Sequence, residues 1–380
     1  MTTIASEVAC RIAPAAPDRG RDPALGVALS GGGFRAMLYH VGALRRLNEL
    51  GLLAVASRFS SVSGGSITAA LLGLTWDRLR FDGTGVSDNL VDVVETPLFE
   101  LAGRLIDIWS VLGGLGSLRS PAQALSGHYA RHLFGSATLQ DLPESPRFTL
   151  NTTNMVTGTL MRWAREYAAD YRVGTIFEPT TALADVVAAS SAFPPFLSPM
   201  KLRVSQPLVD HRSRVPVDAP PKRLWLTDGG VYDNLGLQAV ESFHTVLVSD
   251  GGAPFDSAGK LRANWLSQSL RTVDVIDRQV RALRRRRLLA EFTDGQRLGS
   301  LWTIATPVGR YGLADAIPVS DVTVRRLAAV PTRLAPISVR LRKQLVNWGY
   351  VSADCGVRAY VEPSFSPPTG LPFPDEPLGS

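Results

Sequence analysis

Apolar and polar positions along the chain alternate between two periods. Leu25-Gly-Val-Ala-Leu29 is a short continuous apolar run that predicts a buried strand, and Ser30-Gly-Gly-Gly33 ends it. Phe34, Met37, Leu38, Val41, Leu44 and Leu47 then recur at three- and four-residue spacing, which predicts a helix stopped by Gly51. The order repeats once. Phe59-Ser-Ser-Val62 predicts a strand, Ser63-Gly-Gly65 a turn and Ser66–Leu74 an apolar helix. Further strands are predicted at Phe148–Thr152, Leu224–Thr227 and Thr245–Ser249. Strands alternating with helices predict an α/β fold, a mainly parallel central sheet covered on both faces in three α/β/α layers. Sites in such sheets lie beyond the carboxyl ends of the strands, where both glycine-rich turns fall.

The periodicity fades at both ends. Residues 1–22 are rich in Ala, Pro and Arg and are expected to form an irregular tail; residues 361–380 hold six prolines and are expected to form another. No internal repeat or linker interrupts residues 23–360, so one domain is expected between the tails. Composition agrees: 380 residues, 45% of them apolar, suffice for a large core and exclude disorder as the main state. Two cysteines, Cys10 and Cys355, exclude a disulfide scaffold. Met1–Ala13 carries Glu7 and no basic residue before Arg11, unlike a secretory signal, and Pro97–Leu118 is interrupted by Glu100, Arg104 and Asp107, unlike a spanning helix. A soluble, cytoplasmic protein is expected, with at most peripheral contact at a membrane.

The net charge of +6 is local. Between Arg262 and Arg297 stand nine arginines against four acids, +5 in one segment. Leu266, Leu270, Val273, Ile276, Val280 and Leu283 form one face of a helix there, and Arg278 and Arg281 follow Asp274 and Asp277 by four residues, which pairs part of the charge. Arg284–Arg287 remain in excess. They are either a solvated, internally paired face or a contact with anionic lipid. Nucleic acid is not expected as a partner, because no aromatic platform or reading motif accompanies the arginines.

Three groups of residues could carry chemistry. Ser61-Val-Ser63-Gly-Gly65 has the form of a nucleophile elbow, with Ser61 where the usual first glycine would stand. A serine at such a turn meets the backbone N–H groups of the following helix; the bland alternative is an ordinary helix cap. Ser30-Gly31-Gly32-Gly33-Phe34-Arg35 can converge N–H groups on an anion. It lacks the lysine of a P-loop and the third glycine of a dinucleotide fingerprint, so an oxyanion hole is preferred and no nucleotide cofactor is expected. His128 and His132 sit four apart without the glutamate of a zinc-protease helix, so no metal is expected. For a base, His244 lies at the amino end of its strand and His211 in an unplaced polar stretch. Asp228 and Asp250 each end a strand in Asp-Gly-Gly, and local grammar does not choose between them.

Together, the glycine loop, the serine elbow and the Asp-Gly-Gly resemble the patatin-like phospholipases, serine lipid acyl hydrolases that use a Ser–Asp dyad. The likeness runs from Gly26 to about Gly252 and includes Asn151-Thr-Thr-Asn154 and Ala188-Ala-Ser-Ser-Ala-Phe-Pro-Pro195. The family's aspartate precedes an Asn-containing segment, which Asp228-Gly-Gly-Val-Tyr-Asp-Asn234 matches and Asp250-Gly-Gly-Ala-Pro does not. The resemblance thus implies a patatin-like fold, Ser63 as nucleophile, Asp228 as base and an oxyanion held by Gly31, Gly32 and Gly33, with Gly64 a further donor. It also suggests a phosphate headgroup at Arg35, whose alternative is a solvated first-turn arginine. The implied substrate is a phospholipid or other acyl ester, cleaved without cofactor through an acyl-enzyme. The competing expectation is a non-catalytic module that binds lipid or a nucleotide on the same fold.

Overall fold

A computed structural model describes residues 21–105, 120–194, 197–210, 217, 220–254 and 264–379. Residues 1–20 of the expected amino-terminal tail, Cys10, His211, Arg262 and the second half of Pro97–Leu118 lie outside them. Ten strands form one sheet: β1 Asp22–Leu29, β2 Ala56–Val62, β3 Arg147–Asn154, β4 Thr159–Trp163, β5 Tyr167–Asp170, β6 Gly174–Phe177, β7 Met200–Arg203, β8 Arg223–Asp228, β9 Phe243–Asp250 and β10 Leu298–Thr303. Helices of eight or more described residues are α1 Gly33–Glu49, α2 Gly64–Leu74, α3 Pro121–Tyr129, α4 Leu183–Ser190, α5 Trp265–Thr293, α6 Asp321–Ala328 and α7 Val339–Tyr360.

The central order β10-β9-β1-β2-β3 is parallel throughout, as the strand–helix alternation predicts. Its two faces separate by the period of two. Leu25, Val27 and Leu29 of β1 and Leu247 of β9 join the larger core with α1, α2 and α7. Ala28, Val246 and Val248 point the other way, onto Leu288 and Phe292 of α5. Three α/β/α layers result. Buried tryptophans lock the larger core without stranding an indole N–H: Trp163 donates to Thr152 Oγ1 (2.9 Å), Trp302 to Ser249 Oγ (3.1 Å) and Trp348 to the Ile304 carbonyl (2.8 Å).

Beyond β3 the sheet continues antiparallel through β4, β5 and β6. β3 also fixes an encounter. Its Arg147–Asn151 stretch pairs with β2 and its Thr152–Asn154 stretch with β8, in succession, while β4 pairs along Leu150–Asn154 and overlaps both. β2 and β8 therefore share one edge of β3. β2 runs with β3 and β8 against it, so the two strands point at each other. Val62 and Asp228, their last residues, face consecutive β3 residues, Asn151 and Thr152. Among the described residues no helix is long and apolar enough to cross a membrane.

Val361 to Gly379 forms no helix or strand but is fastened to the domain. Asn347 of α7, fully buried, donates to the carbonyls of Phe373 (2.8 Å) and Glu376 (2.9 Å) and accepts from Phe373 N–H (2.9 Å). Arg46 donates to the Ser366 carbonyl at 2.5 Å, and Leu378 is buried.

Candidate active site

The turn after β2 gives Ser63 φ 52° and ψ −120°. Among the described residues only Ser63 and Glu178 hold a positive φ without being glycine. Such a conformation costs on the order of 1–3 kcal/mol and persists only when its surroundings impose it. Here a chain of hydroxyls does so. Ser63 N–H donates to Ser190 Oγ (3.0 Å), whose own proton goes to the Asn151 carbonyl (2.7 Å). Ser66 Oγ therefore donates to Ser190 Oγ (2.9 Å) and leaves its lone pairs to Ser61 Oγ (3.1 Å). Ser61 is thus a working part of the elbow. Absence of side chains lets the elbow touch the glycine loop: a Cβ on Gly64 would stand 2.2 Å from the Gly33 carbonyl.

Asp228 sits at the carboxyl end of β8, where the head-on approach of β2 and β8 delivers it to Ser63. Its carboxylate accepts Gly230 N–H at 2.7 Å, and it lines the same cavity as Ser63, whose hydroxyl favours the charged form. Burial pushes the carboxyl up to about 7, against the influence of Gly230 and Ser63, and the Asp277 carboxylate adds to the rise. A carboxylate so placed can exchange a proton with the serine near neutral pH.

The competing Asp250 lies elsewhere. It is fully buried and paired with Arg281 and Arg285 of α5. Burial alone would raise its carboxyl, but the two guanidinium groups overcome this and hold it well below the usual carboxylate range. Of the histidines, His40 is buried beneath the glycine loop, with Nε2 donating to the Ser30 carbonyl (2.9 Å) and Nδ1 on Ser249 Oγ (2.8 Å). Burial lowers it to about 4, so it stays neutral. His244 precedes most of β9, at the end of the sheet away from Ser63. Among the described residues no cluster of three or more His, Cys, Asp or Glu is placed to hold a metal ion.

Two expectations need correction. Gly31 is not a free donor, because its N–H is taken by the Asn234 carbonyl at 3.0 Å. Gly32, Gly33 and Gly64 have no acceptor among the described residues, and the last two open α1 and α2. Nor does Arg35 reach a headgroup or solvent. It is fully buried, donating to the carbonyls of Gly251 (3.0 Å) and Val330, and burial with nearby Arg281 lowers it to about 10.

Ser63, Asp228 and Gly31–Gly33 line a cavity of about 270 Å³. Ser191, Phe193 and Leu197 form one wall, Thr332–Leu334 crowd the glycine loop, and Asp274, Asp277, Arg278 and Arg281 of α5 form another wall. The expected basic patch is largely paired within the chain, Arg284 and Arg285 half-buried and Arg287 at the surface. Arg285 holds Asp250, Arg284 reaches Asp233 (3.7 Å), and Arg287 pairs with Glu241 (3.0 Å) and Glu291 (3.1 Å). Among the described residues Arg286 touches only a carbonyl of its own helix. Sequence reasoning missed the α5 wall, Ser190 and the Asn234 carbonyl. Ser190 lay inside a recognised stretch without an assigned role, and the others are contacts between distant segments with no local signal.

A family model described as "Patatin-like phospholipase" matches residues 27–240. No curated protein matches the chain. Among solved structures, human GIVD cytosolic phospholipase A2 is similar over 67% of this chain and 49% of its own, at 14% identity and TM-score 0.44. Its complex with methyl gamma-linolenyl fluorophosphonate aligns over 73% of this chain and 46% of its own, at 15% identity and TM-score 0.40. VipD from Legionella pneumophila aligns over 88% of this chain and 66% of its own, at 17% identity and TM-score 0.35. The chain spans about half the length of the human phospholipase structures it matches.

Proposed function

The chain belongs to the patatin-like phospholipase family, and from that premise we propose that it is a lipid acyl hydrolase working through Ser63 and Asp228. The observation that carries the reading is the strained serine sharing one cavity with a buried carboxyl raised to about 7. Asp228 takes the Ser63 proton as Oγ attacks the acyl carbonyl. The N–H groups of Gly32, Gly33 and Gly64, at two helix N-termini, stabilise the tetrahedral oxyanion. Collapse breaks the ester bond, Asp228 returns the proton to the leaving alcohol, and an acyl-serine remains. Water, deprotonated by the same carboxylate, attacks that ester and releases the fatty acid and Ser63.

A nucleotide-binding module fits less well. The glycine loop lacks a P-loop lysine, and the cavity's three arginines, Arg278, Arg281 and Arg333, are matched by three carboxyl groups, Asp228, Asp274 and Asp277, leaving no cationic excess for a polyanion. A serine-reactive fluorophosphonate probe tests the dyad. The adduct should map to Ser63, disappear in Ser63→Ala and form far more slowly in Asp228→Asn. Folded protein that gives no adduct at Ser63 would sink the proposal.

A further inference from the structure

Helix α5 is inside out for a helix that faces water. From Trp265 to Leu283 no exposed residue is charged; the exposed positions are Trp, Val, Ile, Leu, Gln, Ser and Thr. Arg271, Asp274, Asp277, Arg278 and Arg281 are all partly or fully buried over the same turns. Trp265 is 78% exposed, and Val273, Ile276 and Leu283 are each 58% exposed. Asp250 explains the inversion. Its buried charge draws Arg281 and Arg285 inward, and the helical period then sends Val273, Ile276, Val280 and Leu283 outward. Leaving such a stripe in water forgoes its burial, so a monomer in water gains nothing from this arrangement.

We propose that the outer face of α5 seats the protein on a lipid surface, its apolar stripe inserted at the boundary between headgroups and acyl chains. The choice of a lipid surface over a second copy of the chain rests on the lipid hydrolase reading. Two features favour it. The same turns that carry the stripe form a wall of the cavity through Asp274, Asp277, Arg278 and Arg281, so the stripe and the substrate site share one element. Phe193 lines that cavity and is 53% exposed, adding a second apolar group at its rim. The face is also electrostatically suited, carrying no exposed carboxylate and ending in exposed Arg286. Contact is apolar first, and the internally paired arginines contribute little.

The test uses the full chain with Ser63→Ala, so that vesicles stay intact, and vesicles of phosphatidylcholine alone or mixed with phosphatidylglycerol. The protein should sediment with both, with little loss at high salt. Ile276→Glu with Val280→Glu should lower partitioning about tenfold or more on both. Failure of the Ser63→Ala chain to bind either vesicle, or undiminished binding by the double variant, overturns the proposal. So does binding that collapses in salt, which assigns contact to the arginines, or a dimer that the double substitution dissociates without changing vesicle binding. With Ser63 restored, the double variant should keep hydrolysis of a soluble short-chain ester within about twofold while losing hydrolysis of vesicle lipid. Equal loss on both substrates counts against the lipid seat. A wild type inert on every ester and on the fluorophosphonate sinks the hydrolase reading, and sedimentation still decides the surface.

Discussion

Two aspartates in identical Asp-Gly-Gly settings have opposite electrostatics, and the difference is set by what packs against them. Among the described residues Asp228 has no ion-pair partner, and burial raises it to about 7; Asp250 holds two arginines and is lowered. Between the ordinary value near 3.8 and about 7, folded protein keeps a proton on Asp228 that the unfolded chain has lost. Stability therefore falls as pH rises across that window, while the capacity to act as a base grows. Asp228→Asn should abolish ester turnover yet stabilise the fold by about 1–4 kcal/mol near pH 8, with the gain vanishing toward about pH 4. Asp250 contributes with the other sign, its stabilisation present above the ordinary value and lost as pH falls below it. Asp250→Asn leaves the buried Arg281 and the half-buried Arg285 without their shared carboxylate and should cost about 3–5 kcal/mol in urea unfolding. A folded Asp250→Asn without turnover, beside an active Asp228→Asn, would show that the base is misassigned. Ser63, the glycines and two candidate aspartates were legible because each lies at the end of a strand, and only the family resemblance favoured Asp228 over Asp250. The spent N–H of Gly31 and the inward turn of Arg35 could not, since Asn234, Gly251 and Val330 approach from other parts of the chain.

Elements were legible where the apolar period changes abruptly at a glycine. β1 with α1 and β2 with α2 fall where the pattern puts them. β4, β5 and β6 escaped because they are four or five residues long and joined by turns such as Ala164–Glu166 that lack glycine and proline. The period also grouped Val273, Ile276, Val280 and Leu283 of α5 on one face but not its direction, since Asp250 and Asp233 decide which face turns inward. Packing of α1 on α7 shows a further constraint invisible to periodicity. A Cβ on Gly42 would lie 1.9 Å from the Val346 carbonyl, and one on Gly349 would lie 1.8 Å from the Tyr39 carbonyl. The two backbones meet at reciprocal glycines, and α1 carries the glycine loop at its start. Gly349→Ala should therefore force the helices apart and cost about 1–3 kcal/mol or more by chemical denaturation. Gly309→Ala, where nothing lies within 4 Å, is the control and should stay within about 0.5 kcal/mol.

At the scale of the whole molecule, the sheet topology explains why a parallel α/β reading pointed to the candidate site while missing half of the sheet. Ser63 obeys the carboxyl-end rule of parallel strands, whereas Asp228 arrives on an antiparallel strand from the opposite side. Sequence order cannot reveal strand direction in a mixed sheet, so the meeting of the two residues needed the edge of β3. The carboxyl-terminal segment makes the same point about composition. Six prolines rule out regular structure after Val361, yet they do not rule out docking. Asn347, fully buried, spends both sides of its amide on Phe373 and Glu376, and Arg46 caps Ser366 from α1. Removing the segment would strand those groups and uncover the apolar surface under Phe373 and Leu378. Asn347→Ala alone should cost about 1–3 kcal/mol, and a chain ending at Tyr360 should lose more than that in the same urea titration. Equal unfolding midpoints for the shortened and full chains would mean that residues 361–379 rest on the domain without holding it.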